Sequence, residues 1–212
     1  MHSNAKPSVE IGVRTPMGVA AAATLDYDAE LMLRVKEGDV ACFAVLLEKH
    51  RASVIHFIYR LVEEQGVAEE LAQEVFLRVY RSRSSYEAAA KFRTWLFRIA
   101  THLALNWLRD QKHDRAQERL DDASADLPSR QLPDRRPSVE QRLVREAELR
   151  EIREAIAALP EKQRAAVLMH KYEEMEYTQI AKVLGCSESA IKSLLFRAYE
   201  TLRARLAHME SK

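Results

Sequence analysis

The chain contains no glycine between Gly66 and Gly185, and this absence constrains the fold more than any other feature of the sequence. Glycine supplies the positive-φ positions of tight turns, so an all-β fold or a Rossmann-like α/β fold would need it at short intervals. The same stretch has apolar residues at the three- and four-residue spacing of amphipathic helices. The sequence therefore predicts an all-α protein.

Charge is segregated along the chain, although the formal net charge of the 212 residues is only +1. Residues 63–74 hold five acids and no base. Residues 91–115 hold six Lys or Arg against two Asp, a local excess of +4, and residues 178–206 hold five bases against two acids, a local excess of +3. Separate acidic and basic faces indicate a protein that binds a protein partner and a polyanion together.

The two cysteines, Cys42 and Cys186, both fall in helical patterns. We predict that both are buried as small apolar residues, rather than paired in a disulfide or bound to zinc. The longest apolar run, residues 17–25, is nine positions long, whereas a membrane-spanning helix needs about 20. We therefore expect a cytoplasmic protein with no membrane insertion, no metal and no cofactor.

Periodicity and proline placement divide the chain into four segments. Residues 1–25 lack helical periodicity, and we interpret them as a disordered tail. Residues 26–113 contain four amphipathic patterns, which predict a bundle-like helical domain. Residues 114–138 include three of the six prolines and are interpreted as a flexible linker. Residues 139–212 are predicted to form a second helical domain with a break at Leu159-Pro160.

The segment YTQIAKVLGCSESAIKSLLF, residues 177–196, has the spacing of a helix-turn-helix. Ala181 is small where the two helices cross, and Gly185 can adopt the left-handed conformation of the turn. The second helix would lie in the major groove of DNA, with an ordinary solvated helix face as the alternative. The side chains directed away from the seam are Ser187, Glu188, Ser189, Lys192, Ser193, Phe196 and Arg197.

A second candidate DNA site lies on the predicted helix over residues 92–109. Its apolar stripe includes Trp95 and Trp107, which we assign to the core. The other face interleaves bases, hydrogen-bonding groups and an aromatic ring, a pattern suited to melted or single-stranded DNA. Burial of Phe97 in the core is the alternative. With the preceding loop, the candidate residues are Tyr86, Lys91, Arg93, Thr94, Phe97, Arg98, His102, Asn106 and Arg109.

Three sequence blocks together resemble the extracytoplasmic-function sigma factors of bacterial RNA polymerase. AEELAQEVFLRVYR, residues 68–81, is similar to the polymerase-binding helix of that family. KFRTWLFRIATHLALNWLR, residues 91–109, is similar to the segment that opens and recognises the −10 promoter element. Residues 159–206 are similar to the −35-binding domain. The order and spacing of the three blocks are more specific than any one of them.

The resemblance implies that residues 26–113 are sigma region 2 and residues 139–212 are sigma region 4. The polymerase-binding residues that it implies are Glu69, Glu70, Gln73 and Glu74. These would dock on the largest polymerase subunit, while region 4 would contact the second-largest subunit and hold −35 duplex. Capture of a flipped −10 base would open the promoter without ATP. An anti-sigma factor is implied as a further partner.

The sequence departs from the family pattern in both DNA-binding blocks. His102 stands where the family commonly has Asn, in the stretch that recognises the flipped base, so the −10 base preference does not follow from the resemblance. Leu194 and Tyr199 stand where the recognition helix often has Arg. Fewer phosphate contacts predict a shallower salt dependence of DNA binding.

Other classes of function explain less of the sequence. An enzyme is disfavoured because the chain has no phosphate-binding loop, no HExxH and no CxxC motif. A stand-alone helix-turn-helix regulator explains residues 177–196, but not the acidic segment or the basic helix before it. A helical scaffold with no DNA role leaves both basic segments unexplained.

Overall fold

The computed structural model describes residues 26–118 and 139–209, and these ranges contain eight α-helices and no strand. The helices are α1 (Tyr27–Lys36), α2 (Val40–Val62), α3 (Gln65–Arg81), α4 (Phe92–Glu118), α5 (Val139–Ala157), α6 (Glu161–Lys171), α7 (Tyr177–Leu184) and α8 (Glu188–Leu206). Short 3-10 helices at Arg83–Ser85 and Ala207–Met209 follow α3 and α8. The prediction of an all-α protein is confirmed. None of the helices in these ranges has the length and hydrophobicity to cross a membrane.

Two predicted segments fall wholly or partly outside the described residues. The predicted tail, residues 1–25, lies outside them, and so do residues 119–138 of the predicted linker. Helix α4 continues to Glu118, five residues beyond the predicted end of the first domain at 113. Helix α5 begins at Val139, where the second domain was expected to begin.

Local sequence explains where several helices begin and end. Helix α1 ends before Gly38, whose φ of +103° suits glycine and few other residues. Asp39 then caps α2, because its carboxylate accepts a hydrogen bond from the Cys42 N–H at 3.2 Å. Pro160 lies between α5 and α6 and produces the predicted break, since proline cannot continue a helix.

The core of the first four helices consists of their apolar stripes. Fully buried members from α2, α3 and α4 are Leu46, Val54, Phe57, Ile58, Leu61, Val75, Val79, Phe92 and Leu96. The second group of helices contributes further fully buried residues, among them Leu168, Met169, Ile180 and Ile191. Each stripe faces its neighbours with the three- and four-residue spacing that the sequence shows.

A buried polar cluster joins α1 to α2 within the first core. Asp28 accepts hydrogen bonds from Lys49 Nζ at 2.6 Å and lies 2.9 Å from His50 Nε2. Asp28 and His50 are each only 5% exposed. Burial lowers the pKa of His50, and the hydrogen bond with Asp28 offsets only part of that effect. A neutral ring with its proton on Nε2 satisfies the Asp28 carboxylate without adding a buried charge.

The two helical units are in contact with each other. Helix α4 packs against α7, α2 packs against α6, and buried residues of both units belong to one hydrophobic core. Arg164 of α6 donates a hydrogen bond to the Leu61 carbonyl at the end of α2, at 2.7 Å. The sequence predicted two helical domains but gave no indication of this packing between them.

The cysteines differ in their surroundings. Cys42 is buried in α2, as predicted. Cys186 is exposed, so the prediction of burial is wrong for this residue. The reason is its place in the turn between α7 and α8, where the chain leaves the core to connect the two helices.

Candidate nucleic-acid interface

Helices α7 and α8 form the predicted helix-turn-helix. Gly185 adopts a φ of +65° at the end of α7, and the Cys186 N–H donates to the Ala181 carbonyl at 3.1 Å. Ser187 caps α8 by accepting a hydrogen bond from the Ala190 N–H at 3.2 Å. Ile180 and Ile191 are fully buried, one from each helix. The tight turn therefore presents the N-terminal end of α8 to solvent, the geometry in which such a helix enters the major groove.

The α8 face is the set of predicted side chains on this helix, and all seven are exposed: Ser187, Glu188, Ser189, Lys192, Ser193, Phe196 and Arg197. Lys192 Nζ lies 2.9 Å from Glu188 Oε1, and this hydrogen bond raises the pKa of Lys192. Arg197 Nε donates to the Ser193 carbonyl at 3.3 Å. Phe196 is 67% exposed, a large apolar surface among polar neighbours.

Leu194 and Tyr199 are half-buried and pack against the hydrophobic core. Both lie on the inner side of α8, away from the α8 face. Burial raises the pKa of Tyr199. Neither side chain is positioned as a phosphate donor, which agrees with the departure from the family pattern noted in the sequence.

Helix α4 carries a second exposed surface, named here the α4 strip: Lys91, Arg98, His102, Asn106 and Arg109. Beyond Lys91 its members recur every three or four residues, so the strip follows one side of the helix. Three members are cationic, and His102 and Asn106 can both donate and accept hydrogen bonds. The strip combines phosphate-binding charge with groups that can recognise the edges of unpaired bases.

The predicted exposure is wrong for Tyr86 and Thr94, and for Phe97 the structure shows the alternative, burial in the core. Tyr86, Thr94 and Phe97 are 3%, 4% and 0% exposed. The Phe97 ring lies 5.1 Å from the Phe57 ring, and the Tyr86 ring lies 4.9 Å from the Trp95 ring. Their burial has a physical cause, because α4 packs against α1, α2 and α3 of its own unit and also against α7. A helix with neighbours on several sides buries more than one stripe.

Arg93 is half-buried and differs from the strip in having a partner from the second unit. It pairs with the carboxylate of Glu173, which is only 4% exposed. The Arg93 guanidinium also lies 5.4 Å from the centroid of the Phe97 ring. Sequence reasoning missed Glu173, because it is 80 residues away from Arg93 and no local pattern relates the two.

The acidic face of α3 is largely solvent-accessible. Glu69, Glu70 and Gln73 are exposed, whereas Glu74 is half-buried and accepts a hydrogen bond from Arg78 Nε at 2.7 Å. Leu77 is 49% exposed and follows Glu74 by three residues on the same side. Sequence reasoning missed Leu77, although its three-residue spacing from Glu74 was a usable signal.

The model of the Sigma-70 region 2 family matches residues 46–114, and that of Sigma-70, region 4 matches residues 149–202. The chain is 30% identical to the RNA polymerase sigma-H factor of Pseudomonas aeruginosa over 181 residues, which cover 84% of this chain and 93% of that protein. It is also 30% identical to the ECF RNA polymerase sigma-E factor of Escherichia coli K12 over 176 residues, which cover 82% of this chain and 92% of that protein. The chain belongs to the extracytoplasmic-function sigma factors. The α4 strip of this sigma factor lies in region 2, and the α8 face lies in region 4.

Solved structures share the fold of this sigma factor. CnrH in complex with the cytosolic domain of CnrY superposes with a TM-score of 0.63 at 20% identity, covering 86% of this chain and 99% of that chain. The sigma factor RpoE of Bartonella quintana, in complex with the anti-sigma factor NepR, gives 0.59 at 23% identity, covering 78% and 96%. At these identities the likeness concerns the arrangement of helices.

The prediction of sigma-factor function is confirmed by the two family matches and the relatives. The sigma factor acts with core RNA polymerase at promoter DNA, as an initiation factor rather than a catalyst. The presence of region 2 accounts for the basic helix and the acidic face together. A stand-alone regulator leaves both without a role and is not favoured.

Proposed function

We propose that this sigma factor divides promoter recognition between the α8 face, which binds the −35 element as duplex, and the α4 strip, which binds the −10 element as a melted strand. The observation that supports this division is the exposure of every member of both surfaces, which lie on α4 and α8 or, for Lys91 and Ser187, on the residue just before each helix. Rigid helices hold hydrogen-bonding groups at fixed spacing, which base recognition requires. Each surface therefore suits one form of DNA.

The α8 face has the composition of a major-groove reader. Ser187 and Ser189 lie at the N-terminal end of α8, where their hydroxyls and the free backbone N–H groups can bind phosphate. Lys192 and Glu188 are paired in the free protein, so both exchange this contact for DNA on binding. Lys192 can then donate to guanine or phosphate, and Glu188 can accept from cytosine.

The α4 strip is suited to a single strand. Its cations neutralise phosphates, while His102 and Asn106 face the base edges that become available once the duplex opens. Tyr86 and Phe97 are buried, so they do not supply the exposed stacking surfaces expected from the sequence. Base capture by the strip therefore depends on hydrogen bonds and on the His102 ring. The binding energy of the captured strand opens the promoter without ATP.

The acidic face of α3 docks on the largest subunit of core polymerase, and region 4 contacts the second-largest subunit. Leu77 adds an exposed apolar side chain beside the acids, which is the composition of a protein-binding surface rather than a DNA-binding one. Polymerase binding and DNA binding therefore use different helices and are separable by mutation. Because the protein acts with polymerase on the chromosome, we place its activity in the cytoplasm.

An anti-sigma factor is the regulatory partner that we infer. The related fold of Bartonella quintana RpoE occurs in complex with the anti-sigma factor NepR, which supports this inference. The exposed surfaces of α3, α4 and α8 are the ones that such a partner has to cover in order to block polymerase and promoter together.

Run-off transcription with reconstituted holoenzyme tests the proposed function. Core polymerase with this chain should initiate from a small set of fragments of the source genome, and the sequenced starts should share two elements upstream. Absence of a specific transcript from every fragment contradicts the proposal.

The Lys192→Ala, Arg197→Ala double variant tests the −35 assignment. It should weaken binding of holoenzyme to −35 duplex and lower the slope of log affinity against log salt by about 2, since each lost phosphate contact removes roughly 0.9. Its affinity for core polymerase should not change. The matched control, Arg153→Ala with Lys162→Ala, removes the same charge from exposed positions on α5 and α6. Equal losses in the two double variants would show that bulk charge, rather than the α8 face, binds the duplex.

A further inference from the structure

Polar contacts join region 2 to region 4 where α4 packs against α7 and α2 packs against α6. Two of them come from consecutive residues in the loop between α6 and α7. The Tyr172 ring lies 4.3 Å from the Arg60 guanidinium, and the Glu173 carboxylate pairs with Arg93. Lys112 Nζ lies 2.6 Å from Glu161 Oε1 at the start of α6. One short loop of region 4 thus holds two arginines of region 2.

Glu173 is the buried acid of this interface. It is 4% exposed, whereas the adjacent Glu174 is exposed. Burial of a carboxylate is unfavourable unless a cation and hydrogen bonding compensate it, and Arg93 supplies both. A carboxylate offers a guanidinium two oxygens, as a phosphate does. Glu173 therefore engages the Nη2 group of Arg93, a donor that this candidate −10 residue would otherwise offer to a DNA phosphate.

In the packed arrangement the α4 strip and the α8 face are too close together to contact both promoter elements at once. Helix α8 crosses α7, and α7 packs on α4. Packed helices lie about 8–10 Å apart, so α8 lies on the order of 20 Å from α4. The −35 and −10 elements are about 25 base pairs apart by position, on the order of 80 Å at 3.4 Å per base pair. Binding of both elements requires that α4 and α7 separate.

We propose that the free sigma factor is held in a closed state by Glu173 of region 4, which pairs with Arg93 of region 2 in place of promoter phosphate. This inference rests on the proposed −10 role of region 2. In the closed form Arg93 is paired and the two elements cannot be bound together, so the affinity for a promoter falls in proportion to the fraction of molecules in which the regions are apart. Loss of the Glu173 charge shifts that population toward the separated form.

Glu173→Gln tests the closed state in the free, full-length chain. Small-angle X-ray scattering should show a larger radius of gyration than in the parent. A short mixed-sequence single-stranded oligonucleotide, followed by fluorescence anisotropy, should bind roughly fivefold more tightly. The matched control is Glu174→Gln, which removes the same charge one residue away from an exposed side chain and should match the parent in both measurements. If Glu173→Gln is as compact as the parent and binds no better, the proposal is wrong.

A charge exchange separates opening from misfolding. Glu173→Arg places two cations together and should expand the chain, and addition of Arg93→Glu should restore the compact form. An expanded chain that Arg93→Glu does not restore overturns the pairing. The scattering result is independent of DNA, so it judges the closed state alone. Arg98→Ala with Arg109→Ala judges the −10 assignment, because unchanged oligonucleotide binding in that variant rejects the α4 strip and leaves the closed state standing.

Discussion

His50 is a histidine that the fold keeps away from water. Burial lowers its pKa, and the nearby charges of Asp28, Lys49 and Arg93 modify that effect. The unfolded chain, in which histidine titrates near 6.5, then binds a proton at a higher pH than the folded chain does. The contribution of His50 to stability is therefore complete above about pH 6.5 and is lost as the pH falls through the unfolded value toward the lower folded pKa.

We expect the free energy of unfolding, measured by urea denaturation, to fall between about pH 7 and pH 5, and to fall less steeply in His50→Gln. His56→Gln is the matched control, because His56 lies on the same helix and is exposed. In His56→Gln the free energy of unfolding should fall with pH as steeply as it does in the parent. The same pH dependence in parent and His50→Gln would show that the buried imidazole is not its source.

Phe97 distinguishes a core residue from a DNA-stacking residue. It is fully buried against Phe57, so Phe97→Ala should lower the free energy of unfolding by about 3–5 kcal/mol. The matched control is Phe196→Ala, which removes the same side chain from a position that is 67% exposed and should cost within about 0.5 kcal/mol. Chemical denaturation measures both. A stable Phe97→Ala with impaired DNA binding would restore the stacking role.

The sequence predicted exposure correctly on α8 and incorrectly for Thr94 on α4, and the difference has a physical reason. Apolar periodicity identifies the side of a helix that faces one neighbour. Helix α8 packs against α5, α6 and α7, but its buried residues lie along one side, and all seven predicted residues lie away from it. Helix α4 is buried on more than one side, so Thr94 and Phe97 lie on a second buried side that a single stripe does not reveal.

The turn between α7 and α8 depends on Gly185. Its φ of +65° is strained for any residue with a Cβ, although no neighbouring atom lies within 4 Å of that position. Gly185→Ala should therefore destabilise the protein by about 1 kcal/mol through the backbone alone. Gly66→Ala is the control, because Gly66 lies in α3 without a positive φ. This variant should be more stable than the parent by roughly 0.5–1 kcal/mol. Thermal unfolding of both variants measures the two signs, and destabilisation by both would contradict the assignment to backbone conformation.

Helix ends were predictable where a short-range group determines them. Asp39, Pro160 and Ser187 act within four residues of the helix that they begin or interrupt, and the break at Pro160 is the one that the sequence predicted. The C-terminal end of α4 was harder to predict from the sequence. Its polar final turns, up to Glu118, have no stripe that distinguishes a helix from a linker.

The packing of the two regions could not be predicted from the sequence. Glu173 and Arg93 are 80 residues apart, and Arg164 and Leu61 are 103 residues apart. Each side chain is ordinary in its local context, and only the tertiary arrangement gives it a partner. The segregation of acidic and basic segments indicated contacts with other molecules, yet part of that complementarity is satisfied within the chain.

The single hydrophobic core that spans both regions makes their separation sensitive to temperature. Separation of the two regions exposes apolar side chains of α4 and α7 to water, and hydration of such surface raises the heat capacity. Hydrophobic stabilisation weakens on cooling, so we expect a larger fraction of this protein in the separated form at low temperature than at high temperature. The contact between the two regions, made of apolar side chains and one buried ion pair, is therefore expected to weaken at low temperature.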